Sequence, residues 1–328
     1  MIRQQILKII ASHNRFLIAG HIHPEGDSIG SQLALANLLG KMGKSVRIIN
    51  ADNVPKNLKF LPGQGRIETG LDFRKEQIEF DAAIVLDSPV LERIGKVREL
   101  IKNAYIINID HHVSNERFGH INWTDHKASA AGEMVYGLYK SSSVPIDVQT
   151  ALCLYVAIMT DTGSFRYSNT TPATHRIVAE LLNFDINPAQ IYEFIYETKS
   201  FEALKMLGEA LENLNRSRDG KIVWFKVTKK MLKKYNLPLE STESFIDVVR
   251  MIEGSEVAVF FRELESGVGI KVSLRSKCRI DVNKIAKSFG GGGHSLASGC
   301  VIEKKMETAE KLLVKEIKKA IKKRFSGK

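Results

Sequence analysis

Four short stretches of this sequence gather side chains that can bind a metal or move a proton. His21, His23, Glu25 and Asp27 fall within HIHPEGDSIGS, Asp87 within VLDSP, Asp110, His111 and His112 within YIINIDHHVS, and Asp161 within TDTG. Imidazoles and carboxylates without thiolates suit manganese, magnesium, iron or zinc, and argue against a copper or iron–sulfur centre. A lone aspartate behind a strand is ordinarily a turn or helix cap, and a His-His pair can be a satisfied core pair. Recurrence decides between these readings: caps need no histidines, and core histidines need no acids. A second signal is GGGGHSLASG at 290–299. Consecutive glycines let backbone N–H groups approach an anion in a nest, and His294 beside them can donate to a phosphate.

Each cluster ends an ordered run. FLIAG (16–20) precedes His21, AAIVL precedes Asp87 and YIINI precedes Asp110, while VRIIN (46–50) is a further strand. Ile29, Leu33, Ala36 and Leu39 recur at helical spacing with Gly43 as a stop, and DVQTALCLYVAIM (147–159) reads as a buried helix before Asp161. Apolar strands separated by helices predict a parallel sheet covered on both faces. Ligands of such a sheet collect at the carboxyl ends of its strands, so the four clusters are expected to converge on one crevice.

Past Asn183 the pattern changes. The segment 188–214 reads as a helical connector, and KIVWFKV, EVAVFFREL and GIKVSLRSK follow as period-two, half-exposed strands. A helix (DVNKIAKSF), the glycine run and a lysine-rich helix complete the chain. The expected fold class is α/β. A mostly parallel sheet flanked by helices occupies 1–187, a helical linker 188–218, and a smaller α/β domain 219–328.

With 328 residues the chain is long enough for two cores. No apolar run approaches the ~20 residues of a membrane helix, and the amphipathic start lacks a signal-peptide pattern, so no membrane partner is expected. Cys153, Cys278 and Cys300 are odd in number and outside any C-x-x-C, which argues against a disulfide framework and points to the cytoplasm. The net charge of +11 favours an anionic partner, nucleic acid or a phosphorylated small molecule, although the share in KEIKKAIKKRFSGK is that of a solvated helix face.

Taken together, HIHPEGDSIGS, VLDSP, IDHH, TDTG and GGGGHSLASG resemble the DHH–DHHA1 phosphoesterases, in particular stand-alone two-domain members of the oligoribonuclease and pAp phosphatase (NrnA) type. The resemblance spans essentially the whole chain in motif order. It implies a DHH catalytic domain, a DHHA1 substrate-binding domain and two divalent ions, manganese foremost, with magnesium or cobalt as alternatives. It implies that His21, Glu25 and Asp87 hold one ion and that Asp27, Asp87, His111 and Asp161 hold the other, with Asp87 bridging. Asp110 would orient a ligand histidine, and His112 would face the scissile phosphate. The chain departs from the family at Glu25, where the pattern has the shorter aspartate. Two-metal sites of this kind place the ions about 3.5–4 Å apart, clamp phosphoryl oxygens and acidify water. In the second domain Arg275 would pair with a substrate phosphate. The backbone of Gly290, Gly291, Gly292 and Gly293, with His294, would hold the terminal nucleotide's phosphate, assisted by Ser298. Arg262 is a weaker candidate, and Phe165 and Tyr167 are candidates to stack on a base.

The function expected is a cytoplasmic, metal-dependent phosphohydrolase that cleaves short oligoribonucleotides (nanoRNA) to mononucleotides and removes the 3′-phosphate of pAp, gripping its substrate across an interdomain cleft. The alternatives are a phosphodiesterase for cyclic dinucleotides such as cyclic di-AMP or for pApA, a manganese inorganic pyrophosphatase, and a non-catalytic nucleic-acid-binding protein. A homodimer is left open.

Overall fold

The computed structural model describes residues 2–71, 79–242, 244–264, 269–277, 280–293 and 295–325, so that Cys278 and His294 lie outside the described residues. The chain divides into two units, Met1–Thr198 and Lys199–Lys328.

In the first unit α1 (Ile2–Ser12) leads into β1 (Arg15–Ala19), α2 (Gly26–Lys41), β2 (Ser45–Ile49), β3 (Ile67–Glu68), β4 (Ala82–Leu86), β5 (Tyr105–Asp110) and β6 (Ile121–Thr124). Then come α3 (Ala131–Ser142), α4 (Val148–Asp161), α5 (Pro172–Leu181) and α6 (Pro188–Tyr196). The strands form one sheet in the order β3-β2-β1-β4-β5-β6, with every neighbouring pair parallel. Phe16 and Ile18 face the core under the α-helices, whereas Leu17 and Ala19 face Ile94, Val97 and Ile101 of the 3₁₀ segment Leu91–Ile101. Burial on both faces explains why these strands read as unbroken apolar runs. The parallel, doubly covered sheet agrees with the sequence. The short β3 and the edge strand β6, which carries half-buried Asn122 and Thr124, give no such run and were not expected.

The chain builds outward from β1 to β3 and then returns to place β4 on the other side of β1. The direction of winding therefore reverses between β1 and β4, and a doubly wound sheet opens a crevice at that switch point. Helix α2 is buried along most of its length against α4. The approach is close because Gly26 faces Thr160, and Gly30 faces Cys153 and Ala157. These contacts set the start of α2 beside the end of α4. The Asp147 side chain starts α4 by accepting the Thr150 N–H at 2.8 Å.

The second unit contains α7 (Phe201–Glu212), β7 (Asn215–Arg216), β8 (Ile222–Val227), α8 (Lys229–Lys234), α9 (Phe245–Arg250), β9 (Val257–Glu263) and β10 (Ile270–Ser276). It closes with α10 (Val282–Lys287), β11 (Gly292–Gly293), β12 (Ala297–Ile302) and α11 (Met306–Phe325). Its sheet runs β11-β12-β10-β9-β8-β7, antiparallel except for β8 with β9. One core lies under α10 and α11, and another under α7, α8 and α9. β10 alternates as expected, but β9 is buried on both faces because it lies centrally between those two cores.

The linker expected over 188–218 is not one helical segment. Ser200 accepts from the Ala203 N–H and starts a new helix, α7. Ile191 and Ile195 of α6 join the core of the first unit, while Ala203, Met206 and Ala210 of α7 join that of the second. Among the described residues no helix is long and apolar enough to cross a membrane.

Candidate metal centre

The switch point receives its first two side chains from adjacent strands. His21 lies just past β1, and its Nδ1 is 2.7 Å from the Ile22 carbonyl. A carbonyl can only accept, so Nδ1 carries a proton and Nε2 is turned toward Asp87 Oδ2 at 3.2 Å. Burial opposes a charge on His21, but the contact with Asp87 outweighs it and raises its pKa. Asp87 directly follows β4 and is buried at a φ of 54°, a left-handed conformation that non-glycine residues rarely adopt. Its other oxygen, Oδ1, faces His111 Nε2 at 3.6 Å.

Helix ends supply the next two acids. Asp27, in the first turn of α2, accepts the N–H groups of Ala131 at 2.7 Å and Gly132 at 2.9 Å, and the Ser31 hydroxyl at 2.9 Å. It thus caps α3, whose own N-cap residue, Ala130, has no side-chain acceptor. Asp161 is the last residue of α4. Asn169 Nδ2 donates to its backbone carbonyl at 3.1 Å, to its Oδ2 at 3.3 Å and to the Ser129 carbonyl at 2.9 Å.

His111 joins these groups. Its Nε2 lies 3.6 Å from Asp87 Oδ1, 3.6 Å from Asp161 Oδ2 and 3.8 Å from Asp27 Oδ2, yet it is buried and makes no hydrogen bond. A buried nitrogen ringed by three carboxylates at such distances is a cradle for a cation. The electrostatics agree. Burial and the charge of Asp87 push Asp27 up to about 6, and burial with the neighbouring acids pushes Asp161 well above the carboxylate range. Burial would lower His111, but Asp87, Asp161 and Asp27 hold it at about 10. Asp87 is held well below its ordinary value despite burial by the His111 and His21 imidazoles beside it. The buried acids exceed the buried imidazolium, and a divalent ion relieves that excess. The residues present therefore fit a metal. Among the described residues, two groups have metal-ligand geometry, Asp27–His111–Asp161 and Asp87–His111–His112.

Asp110 was expected to orient a ligand histidine. Its carboxylate is fully buried and holds His112 Nδ1 at 2.7 Å, not His111 or His21. Its second oxygen accepts from Asn115 Nδ2 at 2.6 Å. Burial opposes its charge, but His112 and Asn115 bring its pKa below the usual value. Asn115, Asn169 and Ser31 were not singled out in the sequence. The signals are the asparagines in the turns beside the motifs, in DHHVSN and RYSNTT, and for Ser31 its place four residues after Asp27 on α2.

Glu25 begins α2 but is exposed, and its carboxylate makes no hydrogen bond among the described residues. Its charge is nevertheless felt at Asp161. Phe165 is turned to the core against Tyr155 and His175 and is not placed to stack on a base. Tyr167 is exposed, with the Arg166 guanidinium 5.8 Å from its ring centre.

In the second unit Arg275 is partly exposed, with Nε 3.7 Å from Asp247 Oδ1. The glycine run differs from an open nest. The Gly290 N–H goes to the Lys287 carbonyl and the Gly291 N–H to the Ala286 carbonyl, closing the end of α10, and Gly290 takes a left-handed φ of 73°. Gly292 and Gly293 form the outermost strand, β11, and are exposed. The Ser298 hydroxyl is buried and donates to the Val282 carbonyl at 2.8 Å, so it joins β12 to α10. Arg262 is also buried, donating to the Leu239 carbonyl and Thr242, and is structural.

Residues 15–158 match the DHH family, N-terminal domain, and residues 203–323 match the DHHA1 domain. The chain is 33% identical to the bifunctional oligoribonuclease and PAP phosphatase NrnA of Thermus thermophilus over 87% of this chain and 83% of that protein. It is 28% identical to the Bacillus subtilis protein of the same name, over 92% of this chain and 93% of that one. The crystal structure of an exopolyphosphatase-related protein from Bacteroides fragilis superposes with a TM-score of 0.90 at 29% identity, covering 98% of this chain and 96% of that one. With acids and imidazoles gathered at the switch point of its DHH sheet and a DHHA1 domain following in the sequence, the chain belongs to the DHH–DHHA1 family of phosphoesterases.

Proposed function

We propose that this protein hydrolyses short oligoribonucleotides to mononucleotides and removes the 3′-phosphate of pAp. The observation that carries this reading is the buried, unbonded His111 Nε2 within 3.8 Å of three carboxylates. The activities named for the Thermus and Bacillus relatives supply the substrate class.

In this reading Asp27, Asp87, His111 and Asp161 hold one divalent ion and His21, Asp87 and Glu25 a second, with manganese the metal expected and magnesium or cobalt the alternatives. Bound there, the ions would polarise the phosphoryl oxygens and acidify a water. The chain does the rest. His21 has its Nδ1–H committed to Ile22, which leaves Nε2 as the ligand atom. Asp27 is held at both oxygens by α3, which fixes its position before an ion binds. His112, held through Nδ1 by Asp110, contacts the phosphoryl group through Nε2.

The second unit provides grip. Its 199–328 segment has 28 Lys and Arg against 16 Asp and Glu, whereas 1–198 has 20 against 21, so the basic excess belongs to the unit without candidate metal ligands. Arg275 pairs with a substrate phosphate. Contact from the glycine run falls to the edge strand Gly292–Gly293 and to His294, because the N–H groups of Gly290 and Gly291 close a helix.

The test is turnover of pAp, pApA, cyclic di-AMP and RNA dimers to pentamers with Mn2+ and after chelation. Dimers to pentamers and pAp are expected to be hydrolysed only with metal. A marked preference for cyclic di-AMP would move the assignment to cyclic dinucleotides. Failure on all of these and on bis-p-nitrophenyl phosphate would leave a binding protein.

A further inference from the structure

A chain of buried polar groups runs behind the metal ligands and is not used by the reading above. Asn115 Nδ2 donates its two protons to Asp110 Oδ2 at 2.6 Å and Asn108 Oδ1 at 2.7 Å, with the Ser88 carbonyl a longer 3.5 Å away. Asn115 Oδ1 accepts the Arg117 N–H at 2.8 Å, so the amide cannot turn over without setting oxygen against oxygen. Asn108 is fully buried in β5, and its own Nδ2 donates to the Ser88 carbonyl at 3.1 Å. Ser88 directly follows Asp87. The chain thus ties the turn after the DHH motif to the turn that carries Asp87. Asp110 is buried, and its side-chain donors among the described residues are His112 and Asn115. Without Asn115 one oxygen of a buried carboxylate has no donor, and the carboxylate can swing away from His112.

We propose that Asn115 is a positioning residue: it locks the Asp110 carboxylate so that His112 is held toward the phosphoryl group, and it acts on the substrate only through that pair. The proposal rests on the reading that His112 contacts the phosphoryl group. Asn115 touches no candidate metal ligand through its side chain. Its loss should therefore lower the rate of the bound substrate without weakening metal or substrate binding.

Asn115→Asp discriminates, because it keeps the shape while setting a carboxylate against Asp110 Oδ2 and Asn108 Oδ1, both acceptors. Asn115→Ala removes shape and donor together. On an RNA dimer with Mn2+, kcat should fall roughly 10- to 100-fold in both variants, as for other supporting residues of metal sites. The aspartate variant should be no better than the alanine one. KM and the Mn2+ affinity measured by calorimetry should be unchanged. Wild-type kcat in Asn115→Asp would reduce the residue to packing and overturn the proposal. So would a fall in Mn2+ affinity in step with kcat, which would make Asn115 a support of the metal cluster. His112→Ala is measured alongside. Wild-type kcat there would overturn the reading of His112 itself, whereas a loss there with an unaffected Asn115→Asp overturns only the present proposal. If either Asn115 variant does not fold, Asn115→Ser, smaller and uncharged, takes its place with the same expected fall in kcat and the same outcomes against it.

Discussion

Gly30 of α2 lies so close to Cys153 of α4 that a Cβ added to the glycine would come within 2.4 Å of the Cys153 carbonyl oxygen. This contact lets the two helices approach until Asp27 at the start of one and Asp161 at the end of the other share His111. Gly30→Ala should therefore force the helices apart, at about 1–3 kcal/mol as is typical of overpacking. It should also weaken Mn2+ binding. Urea unfolding and metal titration check both, and an unshifted midpoint with unchanged metal affinity would refute the link between helix spacing and site.

Asp87 presents Oδ2 to His21 and Oδ1 to His111, so it faces both candidate ion positions. Asp87→Ala is expected to cost at least ~10²-fold in kcat/KM, since even residues behind metal ligands are worth about 10- to 100-fold. Near-normal turnover by the folded variant would remove the two-ion assignment.

Glu25 is exposed at the start of α2, yet its charge reaches Asp161. Glu25→Ala should raise the Mn2+ concentration needed for half-maximal activity, and Glu25→Asp should leave it unchanged or lower it. An unaltered metal titration in the alanine variant would mean that Glu25 holds no ion.

Arg275 lies in the unit that carries none of the candidate metal ligands. Arg275→Ala should lower kcat/KM on an RNA dimer by about 10-fold or more, the usual scale for a charge-assisted hydrogen bond. Hydrolysis of bis-p-nitrophenyl phosphate should be nearly unaffected. Equal losses on both substrates would contradict the division between grip and chemistry, and His294→Ala gives the same comparison.

Asp147 caps α4 through the Thr150 N–H and also meets Lys41 Nζ at 2.8 Å. Burial opposes its charge, but Lys41 and Thr150 prevail and bring its pKa from 3.8 to about 2. A lowered folded-state pKa contributes stability that is present above pH 3.8 and is lost as the pH falls through about 2. Asp147→Ala should cost about 0.5–2 kcal/mol at neutral pH through the lost cap. Asp147→Asn should keep much of the cap but flatten the loss of stability between those pH values. Thermal melts from pH 2 to 7 distinguish the two variants.

The sequence alone determined the parallel sheet, because strands buried on both faces must be apolar at every position, and FLIAG, AAIVL and YIINI are. It also located the acids and imidazoles, since ligands of such a sheet gather where its strands end. Period two was less informative at Val257–Glu263, where a central position buries both faces, and β3 and β6 were too short for their patterns to stand out. What the sequence could not contain was partnership across distance. Asp110 precedes His111 and His112 in the chain, and only the turn after β5 decides that its carboxylate holds His112. Asp27 and the start of α3 are more than a hundred residues apart, and their hydrogen bonds exist because α2 packs on α3, where Gly132 presents no Cβ beside Asp27. The glycine run reads as a nest when only its conformational freedom is considered. Its hydrogen bonds depend on where α10 ends, and there two of its N–H groups close the helix. Residue type limits which bonds a side chain or backbone group can make, and packing selects which of them it does make.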